Sequence, residues 1–153
     1  MLKSHSVKNF IEKKYSFPFR IGLFPGLSCM FQCSFCGRNY DAVYKRDSAD
    51  KGVEIFKKII DEAPPGDSSR FFLSGGLEPL TNPKLGRIIK TGSDLGFKLP
   101  LITNAYSLTE GYIKKNPEIW LLDSLRVSLY GHDDQSYKEI TQLDKSFKMV
   151  KKK

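Results

Sequence analysis

Cys29-Met30-Phe31-Gln32-Cys33-Ser34-Phe35-Cys36 holds every cysteine of a 153-residue chain. Three thiols within eight consecutive residues argue for one metal centre rather than for unrelated buried cysteines. Thiolates are soft ligands that suit zinc or iron–sulfur, and a short loop can wrap them round one such centre. A disulfide reading leaves one cysteine over, and the opening Met1–Phe10 is polar and mixed rather than a secretory signal. A zinc site needs a fourth ligand, and the two histidines, His5 and His132, lie far away in sequence. Iron–sulfur cubanes are usually held by four thiolates, so three leave one iron open. An open position is what separates a catalytic metal site from a closed structural one.

Immediately upstream, Phe19-Arg20-Ile21-Gly22-Leu23-Phe24 reads as a buried strand stopped by Pro25-Gly26. The cysteine loop therefore sits at the carboxyl end of a strand, where α/β folds place their chemistry. Before it, Val7–Tyr15 is a short amphipathic candidate ended by Phe17-Pro18. After it, Gly37–Asp50 reads as polar and irregular. Val53, Ile55, Phe56, Ile59 and Ile60 then recur at helical spacing until Pro64-Pro65-Gly66. Arg70–Ser74 is a second strand running into Gly75-Gly76-Leu77-Glu78-Pro79-Leu80. Asn82-Pro83 opens a helix with Leu85, Ile88, Ile89 and Leu95 as its apolar stripe and Gly96 as its close.

Lys98–Thr103 is a third strand leading to Asn104. Thr109 caps a short helix ended by Asn116-Pro117, and Trp120-Leu121-Leu122 reads as core packing. Leu125–Tyr130 is the fourth strand, ended by Gly131. Asp133-Asp134 opens one last helix through Tyr137, Ile140, Phe147 and Val150. A β-α pattern repeated four times over short connections means a parallel sheet with right-handed crossovers. From the pattern alone, a doubly wound sheet and a curved partial barrel fit equally.

Length allows one core, and 40% hydrophobic with 12% aromatic residues is ordinary for a globular protein. No apolar run approaches a membrane span. Thiolates of this kind belong in a reducing cytoplasm. The net charge of +8 concentrates in Lys13-Lys14, Lys57-Lys58, Lys114-Lys115 and the closing lysines, which read as solvated helix faces. A phosphate-bearing or RNA substrate stays compatible with that charge.

The spacing Cys-x3-Cys-x2-Cys, with an aromatic before the last cysteine, resembles the radical S-adenosylmethionine (SAM) enzymes. The resemblance implies that Cys29, Cys33 and Cys36 bind a [4Fe–4S] cluster, and that Phe35 packs near the adenine of SAM. It implies that Gly75, Gly76, Glu78 and Pro79 are the counterpart of a GGEP-type motif contacting the SAM methionine amino group, with Leu77 standing where the family often has glycine. Asn104 and Ser128, at the ends of strands three and four, would hydrogen-bond the ribose and carboxylate of SAM. The implied fold is α/β: the first four units of a (β/α)6 partial TIM barrel over residues 19–153, truncated relative to the family core, after an N-terminal extension of residues 1–18. The implied activity is reductive cleavage of SAM to a 5′-deoxyadenosyl radical that abstracts hydrogen from an unidentified small molecule, peptide or RNA. An electron donor such as flavodoxin or ferredoxin is implied as well, and no membrane. A different class also fits the residues: a non-catalytic zinc or iron–sulfur module binding RNA through its basic faces.

Overall fold

The computed structural model describes residues 12, 17–37, 43–64 and 68–152. The Val7–Tyr15 candidate helix lies almost wholly outside them. Four short strands follow the chain in order: β1 (Ile21–Leu23), β2 (Phe71–Leu73), β3 (Pro100–Thr103) and β4 (Ser124–Val127). They pair in parallel as β1-β2-β3-β4. That sequential order decides between the two topologies open from the sequence. A doubly wound sheet reverses direction at a switch point, whereas here each crossover steps the same way. Right-handed crossovers then lay every connecting helix on one face, leaving the other to become the inside of a partial barrel.

Strand register makes the two faces chemically distinct. Leu23, Leu73, Leu101 and Leu125 align as one leucine rung across all four strands. Leu73 and Leu101 are completely buried, packed with Val53, Phe56 and Ile60 from α1 (Asp47–Asp61) and with Leu85, Ile88 and Ile89 from α2 (Leu85–Asp94). On the opposite face the ring of Phe72 covers Gly22, where a β-carbon would stand 2.7 Å from it. The Arg20 guanidinium stacks over the same ring at 4.9 Å from its centroid.

Helix ends follow local chemistry. Gly96 closes the α2 turn with φ of +81°, a conformation that costs a side chain 1–2 kcal/mol at roughly the level of one helical left-handed residue. Thr109 caps α3 (Glu110–Lys115) by accepting the Tyr112 N–H at 3.1 Å. Asp133 and Ser136 form a reciprocal capping box at α4 (Asp134–Thr141).

Four readings of the sequence need correction. Helix α1 begins at Asp47, inside the stretch read as irregular, because Asp47 and Asp50 suit the positive end of the helix dipole and Ala49 is buried. Leu95 does not extend the α2 stripe; it is half-exposed beyond the helix. Trp120 is not core: it is 77% exposed on a 3₁₀ turn, Pro117–Leu121, whose buried residue is Ile119. The last helix is two, α4 and α5 (Ser146–Lys151), broken where Gln142 and Lys145 take left-handed φ of 61° and 57°.

Strand β4 is an edge strand of the sheet, and all four of its residues are exposed. Leu101→Ala should therefore cost about 2–5 kcal/mol, while its rung neighbour Leu125→Ala should cost under about 1 kcal/mol. Urea unfolding of the two variants checks this; equal losses would contradict the description of β4 as an exposed edge.

Candidate functional site

The loops after β1 and β2 and the ends of β3 and β4 meet at the carboxyl edge of the sheet. The cysteine loop, held there, is clamped from two sides. On one side lies the segment after β2. Thr81 Oγ1 accepts the backbone N–H groups of Leu27 and Ser28 at 3.0 and 3.2 Å. Asn82 donates its side-chain N–H to the Pro25 carbonyl at 2.8 Å, and the Glu78 backbone N–H donates to the Ser28 carbonyl at 2.9 Å. A β-carbon on Gly26 would fall 2.7 Å from the Leu77 carbonyl, so this contact is backbone against backbone and only glycine fits without a shift.

On the other side stand the last two helices. Gln32 N–H donates to the Thr141 carbonyl at 2.9 Å and Ser34 N–H to the Ile140 carbonyl at 3.0 Å. Phe31 is buried edge-on against Tyr106, Tyr130 and Tyr137, with centroids 5.6, 6.1 and 6.0 Å away. Such edge-to-face pairs are favoured by the ring quadrupole. Burial pushes the Tyr137 hydroxyl up to about 12, with Tyr130 and Cys33 adding to the rise, so this phenol stays neutral beside the thiols.

Cys29, Cys33 and Cys36, the Gly75-Gly76 turn with Glu78 and Pro79, and the strand-end residues Asn104 and Ser128 all line one cleft. Phe35 does not line it; that ring is 65% exposed and tilted against Tyr130 at 5.6 Å. Ser128 lies just past β4, where its N–H continues the ladder to the Thr103 carbonyl at 2.9 Å. Tyr130 also faces the cleft. Burial raises its hydroxyl, and a hydrogen bond with Ser128 opposes that rise.

Glu78 is the charged centre of the arrangement and is only 4% exposed. Its Oε1 accepts the Thr103 hydroxyl in a short hydrogen bond and the Leu80 N–H at 3.1 Å; its Oε2 accepts the Asn104 N–H at 2.9 Å. Burial lifts this carboxyl above the ordinary glutamate range, against the pull of those three donors. Thus Glu78 joins the loop after β2 to the end of β3. The sequence marks it as a motif residue but does not reveal this internal work. Thr81 carries no signal in the sequence, and Asn82, read there as the cap of the following helix, precedes a helix that starts at Leu85 with Lys84 in the cap position. Asn82 does accept the Lys84 N–H at 2.7 Å, but its amide group holds the cysteine loop.

The donor set fits an iron–sulfur group. Among the described residues no three His, Cys, Asp or Glu side chains converge on one point as a single ion would require. A cubane asks for something else, since each thiolate meets its own iron. Three thiols line the same cleft, and thiolates are the donor type such a group takes.

A model of the Radical SAM superfamily matches residues 23–153. The chain belongs to the radical SAM superfamily. It is 40% identical over 141 residues to the dTDP-4-amino-4,6-dideoxy-D-glucose ammonia-lyase of Streptomyces venezuelae, covering 92% of this chain and 29% of that protein. It is 30% identical over 115 residues to an S-adenosylmethionine-dependent nucleotide dehydratase of Lacinutrix mariniflava, covering 71% of this chain and 22% of that one. The chain thus spans less than a third of the length of these radical SAM relatives. The solved structure of TYW1 with a lysine-pyruvate adduct bound aligns over 97% of this chain and 58% of its own, with a TM-score of 0.58 and 20% identity, a likeness of fold.

Thr103→Val keeps the side-chain shape and removes a donor from Glu78, at an expected cost of about 1–3 kcal/mol. The Glu78 carboxyl then rises further above its unfolded value. Stability tied to a raised carboxyl is complete below the unfolded pKa and is lost as pH rises through the folded one. The added cost should therefore be small near about pH 4 and grow toward about pH 8. Urea unfolding across that range measures it, and a loss independent of pH would contradict the role given to Thr103.

Proposed function

We propose that this chain is the cofactor-binding part of a radical SAM enzyme, with Cys29, Cys33 and Cys36 as ligands of a [4Fe–4S] cluster. The observation that carries the reading is the meeting of three thiols, a Gly-Gly turn and two polar strand ends at one cleft. The bound cluster would supply the electron that cleaves SAM to a 5′-deoxyadenosyl radical, the species that abstracts a substrate hydrogen.

The chain's own residues supply placement. Gly75 and Gly76 leave backbone groups accessible to the methionine end of SAM, and Pro79 stiffens the turn behind them. Ser128 offers a compact donor and acceptor at the mouth of the cleft. Phe35, exposed beside Tyr130, offers a flat face for the adenine. Asn104 contributes to the wall between β3 and the cysteine loop.

We take the substrate to be a nucleotide or a nucleotide-linked sugar that loses a small group such as water or ammonia. The names of the two relatives support this, and so does the net charge of +8, which favours phosphate-bearing molecules. A one-electron donor of the flavodoxin or ferredoxin type completes the reaction, and the reducing cytoplasm suits the thiolates. Among the described residues no helix is long and apolar enough to cross a membrane.

Anaerobic reconstitution followed by dithionite reduction tests the reading. The protein should take up about four irons per chain and convert SAM to 5′-deoxyadenosine, read by mass spectrometry. Cys33→Ala should lose most of its iron and fall to background in 5′-deoxyadenosine. Iron retained in that variant at the wild-type level would contradict the ligand set.

A further inference from the structure

We infer that Asn104 sets the reduction potential of the proposed cluster by donating a hydrogen bond to the sulfur of Cys29. The inference rests on the cluster assignment above and adds to it a residue acting through a ligand. Asn104 is buried, and two bonds fix its pose. Its backbone N–H donates to Glu78 Oε2 at 2.9 Å, and its side-chain Oδ1 accepts the Tyr106 N–H at 2.9 Å. The second bond settles which way the amide faces, because a backbone N–H requires the oxygen. The NH2 group is thereby turned to two sulfurs, Met30 Sδ at 3.4 Å and Cys29 Sγ at 3.7 Å.

A thioether is a weak acceptor, whereas a ligating thiolate carries charge and is a strong one. Reduction adds one negative charge to a cluster and its thiolates. An N–H dipole aimed at a ligand sulfur stabilises that added charge, and such bonds are among the terms that set cluster potentials. Burial strengthens the effect, since little water competes for the field. Asn104 is therefore a positioning residue that acts through Cys29. Its arrangement depends on Glu78, which holds its backbone.

The test is a redox titration of the anaerobically reconstituted protein followed by electron paramagnetic resonance (EPR), comparing wild type with Asn104→Ser and Asn104→Asp. Serine keeps an acceptor for the Tyr106 turn, adds no charge and cannot reach Cys29. Its cluster should be about tenfold less reduced at a fixed poise, equivalent to about 59 mV for one electron. The aspartate, which replaces the donor with an anion, should lie lower still. A purely packing role would not produce that order. Unchanged potentials in both variants at equal cluster content would overturn the inference while leaving the cluster assignment intact. Absence of any cluster in the wild type would instead overturn the assignment itself. Should the variants not load iron, pulsed EPR on wild type labelled with ¹⁵N at the asparagine side-chain amide decides. A coupling to the reduced cluster supports the bond, and its absence overturns it.

Discussion

The site depends on one buried carboxylate. Glu78 accepts donors from Thr103, Asn104 and Leu80, and so ties the turn after β2 to the end of β3. A buried acid without donors would be expensive; with three it becomes a fixed point. Everything nearby takes its place from that point. The Glu78 backbone N–H and Thr81 hold Ser28, the residue next to Cys29, while the Asn104 amide reaches Cys29 from the other direction. One residue thus links the cysteine loop, through its backbone N–H, to the end of β3, through its carboxylate. Its raised carboxyl follows from the same burial.

Around this point, the sheet order gives the protein one working end. Parallel strands in sequential order bring every strand-to-helix loop to the same edge, so residues from four separate βα units meet there. Leu73 and Leu101 at the centre of the leucine rung are sealed by the helices, and the Phe72 ring with the Arg20 guanidinium stacked on it covers Gly22 on the opposite face. Helix α4 closes the arrangement, its Thr141 and Ile140 carbonyls accepting the N–H groups of Gln32 and Ser34. Without those two acceptors the cysteine loop would be held along one side alone. Charged residues stay outside this core. Lys84 and Arg87 reach Asp50, Lys90 reaches Asp94, Lys138 reaches Asp144 and Lys148 reaches Asp134, all on exposed faces where such pairs contribute little.

Periodicity and punctuation made the βα order legible, since apolar strands ended at Pro25-Gly26, Gly75-Gly76, Asn104 and Gly131. Winding was not legible from the pattern, because strand order is a long-range property; the pairing of β1 through β4 supplied it, in agreement with the family resemblance. The miss at Trp120 has a simple cause. Hydrophobicity reports what a side chain prefers, and a 3₁₀ turn that buries Ile119 leaves its neighbour Trp120 outside regardless. The break at Gln142–Lys145 was hidden because neither glycine nor proline marks it; non-glycine residues take the left-handed turn. At the site, spacing revealed the three thiols and the Gly-Gly turn, which are local in sequence. The links from Asn82 to Pro25 and from Asn104 to Cys29 span 57 and 75 positions, and no single-sequence pattern carries them.

The most direct test of the account is EPR of the reduced, anaerobically reconstituted chain, recorded with and without SAM. The account predicts a reduced [4Fe–4S] signal whose shape changes when SAM is added, because three thiolates leave one iron open. A cluster signal indifferent to SAM would contradict the cofactor cleft. Retained zinc with no cluster would contradict the iron–sulfur site altogether.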